Sequence, residues 1–172
     1  MTVRVFRTIL VTLLILLCAP VFAQDSLSTY IGGVFYRYEE AYLVTGLTYH
    51  ATAREQMELN IGADFGIATA EGEDGEILPR FFIPVNLGIN FTFSGDPLSF
   101  YFGPGLSPVF MLRPGEADRF TFLLGPYAKA GLRLRVHSIM SVLVELQQDL
   151  LVGGSKWVNT DTRLLGGINF TL

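Results

Sequence analysis

The stretch Arg80-Phe-Phe-Ile-Pro-Val-Asn-Leu-Gly-Ile-Asn-Phe-Thr-Phe93 restricts the possible folds more than any other part of this chain. Read with a period of two, it places Phe81, Ile83, Val85, Leu87, Ile89, Phe91 and Phe93 on one side. Arg80, Phe82, Pro84, Asn86, Gly88, Asn90 and Thr92 fall on the other. Such alternation is a strand, but one longer than the usual ~5–6 residues, with aromatics at both ends of its apolar row. The length suits a tilted strand that crosses a bilayer in ~9–11 residues or more, its apolar side wetted by lipid and its polar side facing a lumen.

The other 158 residues of the 172 have to be compatible with that strand. Half of the chain is hydrophobic and only 16% is charged, which suits one folded domain and excludes disorder. Past the N-terminus no apolar run approaches the ~18–20 residues of a membrane helix, so the apolarity is carried by alternation. At the start, Arg4 and Arg7 precede the apolar run from Ile9 to Cys18, and Val21-Phe22-Ala23 presents small residues where a signal peptidase reads. Cleavage is expected after Ala23, making 1–23 a signal peptide and 24–172 the barrel domain. An uncleaved anchor helix is disfavoured by the short run and by Pro20. Acylation at Cys18 is disfavoured by Leu17, which stands where a small residue is wanted. The mature chain then has no cysteine, hence no disulfide, and its formal charge moves from −4 to −6 as Arg4 and Arg7 leave. That acidity argues against nucleic acid as a partner.

Eight alternating segments follow. They are 30–38, 42–51, 57–68, 80–93, 98–112, 119–136, one opening at Met140, and 160–172. The breaks at 94–97 and at His137-Ser138 are tight, whereas 69–78, 113–118 and 151–159 are longer, as periplasmic turns and extracellular loops should be. An even count returns both termini to the periplasmic side and lets the last strand pair with the first, so no edge is left unpaired in lipid. Pro84, Pro104, Pro108 and Pro126 each remove a ladder donor, and bulges are expected there.

The signal peptide, the eight segments and the terminal row Leu164, Gly166, Ile168, Phe170, Leu172 resemble the small eight-stranded outer-membrane barrels of the outer membrane protein A and outer membrane protein X type. The resemblance implies an all-β fold, a closed eight-stranded antiparallel up-and-down transmembrane β-barrel. It also implies a bacterial outer-membrane location, contact with outer-membrane lipid and lipopolysaccharide, and recognition by the barrel-assembly machinery. Members of that family usually end in phenylalanine; here Leu172 holds the place and Phe170 lies two before it. A monomer is expected.

A barrel of eight strands encloses only enough space for its own side chains, so inward charges must pair. Folding the chain about His137 sets Lys129 level with Glu145, and folding about Arg54 sets His50 level with Glu58. Arg163 falls near Gln147 and diagonal to Glu145 and Asp149, while Asp64 would need Lys129, Arg80 or Arg37 across the lumen. Together with the inward-phase Arg133, the residues Lys129, Glu145, Arg163, Asp64, His50 and Glu58 are expected to form a structural polar network. A selectivity lining is the alternative use of the same set.

Lipid A hydrolysis or transfer would need a serine activated by a histidine beside a carboxylate. Only His50 and His137 exist, the first beside a salt-bridge carboxylate and the second in a turn, so no catalytic residue is expected. The acidic segment 71–76 lacks the regular ligand spacing of a calcium loop, and neither a metal nor a cofactor is expected. Two roles remain: a structural or surface-interaction barrel whose loops carry Lys156 and Trp157, and a narrow channel for small apolar molecules. The channel is suggested by the inward-phase Phe82, Leu123, Leu143 and Leu165. A secreted lipocalin-like barrel, apolar inside, is the remaining alternative.

Overall fold

The computed structural model describes residues 25–72, 75–115, 119–154 and 157–172. The expected signal peptide with Cys18, Glu73 and Asp74 of the acidic loop, and Lys156 lie outside the described residues. Eight strands run in chain order: β1 (Ser26–Tyr36), β2 (Glu40–Arg54), β3 (Met57–Glu71), β4 (Ile77–Phe93), β5 (Leu98–Leu112), β6 (Phe120–His137), β7 (Met140–Val152) and β8 (Val158–Thr171). Each pairs antiparallel with its neighbours, and β8 returns to β1 from Ser26↔Thr171 to Tyr36↔Asp161, closing the barrel. Closure satisfies every strand edge inside the sheet, which a chain surrounded by hydrocarbon requires.

The strands are staggered as well as closed. Following lumen-side partners round the sheet, Tyr36 meets Asp161, then Asp149, Tyr127, Gly105, Gly88, Asn60 and His50. The circuit ends on Ser26, ten residues along β1 from its start. A stagger of this size tilts the strands by the ~35–45° usual for barrels.

Period-two alternation holds in every strand. Ile61, Leu87, Leu106, Val144 and Leu164 are exposed, while Asn60, Asn86, Ser107, Glu145 and Arg163 between or beside them are buried. An apolar outside and a polar inside is the pattern of a lipid-facing wall, and it excludes the lipocalin-like alternative. Aromatic girdles mark both rims of that wall. At the periplasmic rim, Phe93 stacks on Phe102 with ring centroids 5.8 Å apart, and Phe91 and Phe100 adjoin them. At the other, Phe110 packs between Phe120 and Phe122, and Phe65 against Phe81.

The prolines do not produce bulges. Around Pro84 the β3–β4 ladder passes from Ala63↔Val85 to Gly66↔Phe82 in one register. Around Pro108 the β4–β5 ladder passes from Pro84↔Val109 to Leu87↔Leu106, and around Pro126 the β6–β7 ladder passes from Leu124↔Val152 to Tyr127↔Asp149, again without slipping. Pairing lapses only on the side that each missing N–H faces; on the other side β5 and β6 stay paired residue by residue through Pro104, Pro108 and Pro126. The two register shifts lie elsewhere, at Thr52/Arg54 and Arg135/His137, where strands enter periplasmic turns.

The first strand also starts and ends earlier than its pattern suggests. Ser26 and Ser28 point inward, and the turn falls at Arg37-Tyr38, both at positive φ (54° and 55°), with Glu39 N–H donating to the Tyr36 carbonyl at 3.1 Å. Positive φ at two successive non-glycine residues gives the tight turn whose twist matches the strands.

Candidate functional site: the lumen

Tilt and register together stack the inward side chains in tiers. At the periplasmic end, Arg133 on β6 makes a fork to Glu58 on β3, Nη1 to Oε1 at 2.7 Å and Nη2 to Oε2 at 2.8 Å, with its guanidinium 4.6 Å from the Tyr101 ring centroid. His50 Nδ1 lies 3.6 Å from Glu58 Oε2 and 3.5 Å from Arg133 Nη2. On its other side, Nε2 is 2.9 Å from Ser28 Oγ, and Asn169 Nδ2 donates to the hydroxyls of Ser26 and Ser28 at 2.9 Å. Below this tier a cavity of about 270 Å³ is lined by Thr92, Ser99, Arg133, Ser141 and Asn169 among others.

The middle tier holds Lys129 and Glu145, 3.2 Å apart, with Tyr101 Oη donating to Glu145 at 2.7 Å. Beside them Tyr127 donates to Asn60 and Asn60 to Asn90, both at 3.1 Å. Glycines make the space for these tyrosines: a Cβ on Gly105 would lie 2.1 Å from Tyr127 Cζ, and one on Gly131 2.4 Å from Tyr101 Cζ. The rings lie flat over backbone that carries no side chain, an arrangement that compensates strand glycine.

Above it the guanidinium of Arg163 is wholly buried and fully committed. Nε donates to Asp161 and Nη2 to Asp149 and to the Ser107 hydroxyl, each at 3.1 Å. Nη1 donates to Asn86 at 3.0 Å and to Asp64 at 3.3 Å. Asn86 Nδ2 donates in turn to Asp64, and Gln147 to both oxygens of Asp149. Asp149 and Asp161 stand directly opposite each other across β7 and β8. Two like charges so placed repel, and Arg163 beside them is what makes the pair tolerable.

The extracellular third is apolar. Val34, Tyr42, Phe82, Val109, Leu123 and Leu151 pack there, with Phe82 at 5.3 Å from the Tyr42 ring and 5.6 Å from the Arg163 guanidinium. Over this layer Glu40 receives both Arg113 Nη2 contacts at 3.0 Å, Arg80 at 3.2 Å and the Tyr42 hydroxyl at 2.6 Å.

The expected residues thus meet, but not all with the expected partners. Lys129 is opposite Gln147, and Glu145 opposite Gly131, so the ion pair is diagonal rather than level. The cause is the turn, which falls at Ser138-Ile139 rather than on His137; the register shift at Arg135/His137 takes back only one residue of that offset. Likewise His50 is opposite Asn60, and Glu58 spends itself on Arg133, because β2 and β3 turn later than Arg54. Arg163 is opposite Gln147 as its spacing indicates, but the cation for Asp64 is Arg163 itself rather than Lys129, Arg80 or Arg37. Asp161, Asn86, Ser107 and Ser28 belong to the network although sequence reasoning passed them over. Their inward phase was the available signal, while contacts between strands on opposite walls leave no spacing to read.

Ser28, His50 and Glu58 have the order of a nucleophile, base and carboxylate. The chemistry does not follow from the order. Ser28 is inaccessible and its oxygen accepts from Asn169, and both Glu58 oxygens are taken by Arg133, leaving no approach for a substrate carbonyl and no carboxylate committed to the imidazole. No group of histidines, cysteines and acids among the described residues could hold a metal ion.

No protein-family model matches the sequence, and no curated protein matches it significantly. Solved structures do match. Neisserial surface protein A superposes with a TM-score of 0.69 at 9% identity, covering 86% of this chain and 96% of that one. The outer membrane protein AlkL gives 0.56 at 12% identity over 90% and 92% of the two chains. The N-terminal β-barrel domain of Pseudomonas aeruginosa OprF gives 0.53 at 16%, over 86% and 98%. With the closed eight-stranded sheet, its apolar wall and its filled polar lumen, these likenesses give the chain the fold of the small eight-stranded outer-membrane β-barrels.

Proposed function

We propose that this chain is an integral protein of a bacterial outer membrane that acts through its outer wall and extracellular rim and conducts no solute. The observation that carries this is the filled lumen: Arg163 reaches side chains of β3, β4, β5 and β7, and Phe82 closes the layer above it. Its partners on this reading are outer-leaflet glycolipid and external molecules that meet the rim near Trp157, which is 80% exposed. The signal peptide ending at Ala23 delivers it, and the barrel-assembly machinery inserts it as a monomer. Catalysis has no place in this reading, given the sealed Ser28.

The second reading, a narrow channel for small apolar molecules, draws on the apolar lumen residues Phe82 and Leu123 above the Arg163 tier and Leu143 and Leu165 below it. Such molecules would have to pass the Arg163 tier, which offers them only charge. Reconstitution into planar bilayers and into liposomes loaded for uptake of an apolar dye tests both readings. Conductance at the bare-bilayer level and dye uptake no faster than in empty liposomes are expected; stepwise currents or accelerated uptake would overturn the proposal.

A further inference from the structure

The periplasmic mouth of the barrel is a blind well. Strands β2 to β8 all contribute to its lining, around a volume of about 270 Å³. The fork of Arg133 on Glu58, and the Lys129–Glu145 pair beyond it, close the inner end. Three buried polar groups beside that end have no hydrogen-bond partner among the described residues: Arg133 Nε, Thr92 Oγ1 and Asn90 Nδ2. Arg133 and Thr92 belong to the lining, and Asn90 stands one inward position deeper on β4. Both Glu58 oxygens are taken by the fork, and Asn90 Oδ1 already accepts from Asn60. What remains at the inner end is two N–H donors and a hydroxyl, with no carboxylate left to meet them. Buried donors of this kind call for an acceptor.

We infer that this well binds a small hydroxylated carboxylate, its charged end toward Arg133, Thr92 and Asn90 and its hydroxyls among the serines and threonines of the mouth. An ionised acceptor makes shorter and stronger bonds to a guanidinium than a neutral hydroxyl does, and an ammonium would leave both N–H groups unmet. Arg135 adds a second guanidinium to the lining, 3.6 Å from an exposed Asp96 that solvent largely screens. Glu55 lies in the same lining, exposed on the β2–β3 turn, and opposes a second negative charge, so a monoanion suits the well better than a dianion. The volume lies just below the ~300–1,000 Å³ of pockets that hold drug-sized ligands, which limits the occupant to a smaller molecule. Ser99 and Ser141 flank Arg133 and Arg135 across the neighbouring strands and supply hydroxyls for its chain. Only the side to which the well opens rests on the outer-membrane reading above; its chemistry does not.

The test titrates the full mature chain, nitrogen-15-labelled and folded in phosphatidylcholine nanodiscs, with gluconate, with glucitol as the neutral counterpart and with glucarate as the dianion. Gluconate should give saturable shifts of the Asn90 side-chain amide and the Arg133 Nε–H, glucitol should bind at least tenfold more weakly, and glucarate no more tightly than gluconate. Thr92→Val, which removes one of the three groups and keeps the Arg133 fork, should weaken gluconate at least threefold. Ser99→Met, which fills the well from β5, should abolish the shifts, and it replaces Thr92→Val as the deciding variant if that one does not fold. Equal binding of glucitol would overturn the carboxylate, and tighter binding of glucarate would overturn the monoanion. Absence of saturable shifts would mean that the well holds water only, and shifts unchanged in both variants would place the binding elsewhere; each overturns the site. Because nanodiscs leave both mouths open to solvent, none of these outcomes depends on the outer-membrane reading, which bilayer conductance and cell fractionation test separately.

Discussion

Arg163 on β8 and Asp64 on β3 face each other across the barrel, Nη1 to Oδ2 at 3.3 Å, and both are buried. They are 99 residues apart, and their contact spans the lumen rather than joining neighbouring strands. The plug is therefore a cross-brace as well as a filling.

Removing the brace exposes what it neutralises. Arg163→Met leaves Asp64, Asp149 and Asp161 without their common cation, and should cost ~3–5 kcal/mol of stability. Adding Asp149→Asn and Asp161→Asn to it should recover much of that loss. Urea unfolding in micelles, followed by tryptophan fluorescence of Trp157 and by gel mobility of the heated barrel, measures both.

The Lys129–Glu145 pair makes a different prediction. Either Lys129→Met or Glu145→Gln alone leaves a buried partner unmatched, so each should destabilise more than the double change. A cycle with purely additive effects would contradict the ion pair. Tyr101→Phe, which removes the other donor to Glu145, should cost ~1–3 kcal/mol in the Lys129→Met background, where the carboxylate depends on it.

Arginine at Ile61 or Leu87, on the apolar wall, should cost ~2–4 kcal/mol near the membrane midplane. Thr92→Arg should be milder, because Thr92 borders the periplasmic cavity. Thr48 is no such control: it packs over Gly62, whose Cβ would come within 2.2 Å of its hydroxyl, and offers an arginine no room. Folding yields in lipid vesicles rank the four.

Gly105→Ala should destabilise by ~1–3 kcal/mol through collision with the Tyr127 ring. Gly105→Ala combined with Tyr127→Leu should cost less than the sum of the two separate changes, since the collision goes with the ring. Thermal unfolding of the three variants decides the point.

The proposed export route makes a prediction for each end of the chain. Mass spectrometry of outer-membrane fractions should find Gln24 at the N-terminus, and deletion of residues 170–172 should leave the chain in the periplasm. A Met1 start or an acylated Cys18 would contradict the export route, and normal membrane yield of the truncated chain would contradict the assembly signal. Leu172→Phe should assemble at least as well as the natural chain.

The period of two is a local property of each strand, so Leu59, Asn60, Ile61 and their like could be assigned to lipid or lumen from the residues alone. Strand number followed from the same alternation and from the turn residues between segments. Pairing is different, because a turn displaced by one residue moves every partner by two. The turns at Glu55-Gln56 and Ser138-Ile139, each later than Arg54 and His137, are why Lys129 met Glu145 diagonally and Glu58 met Arg133 instead of being level with His50. The prolines also needed the tertiary structure: whether Pro84 or Pro126 bends a strand depends on which neighbour its missing N–H faces, and only the closed ladder assigns that side. Farther still from the sequence is the gathering of Asp64, Asn86, Ser107, Asp149 and Asp161 on Arg163. Their meeting depends on a stagger of ten residues that belongs to the whole barrel, since closure fixes the height of every strand relative to all the others.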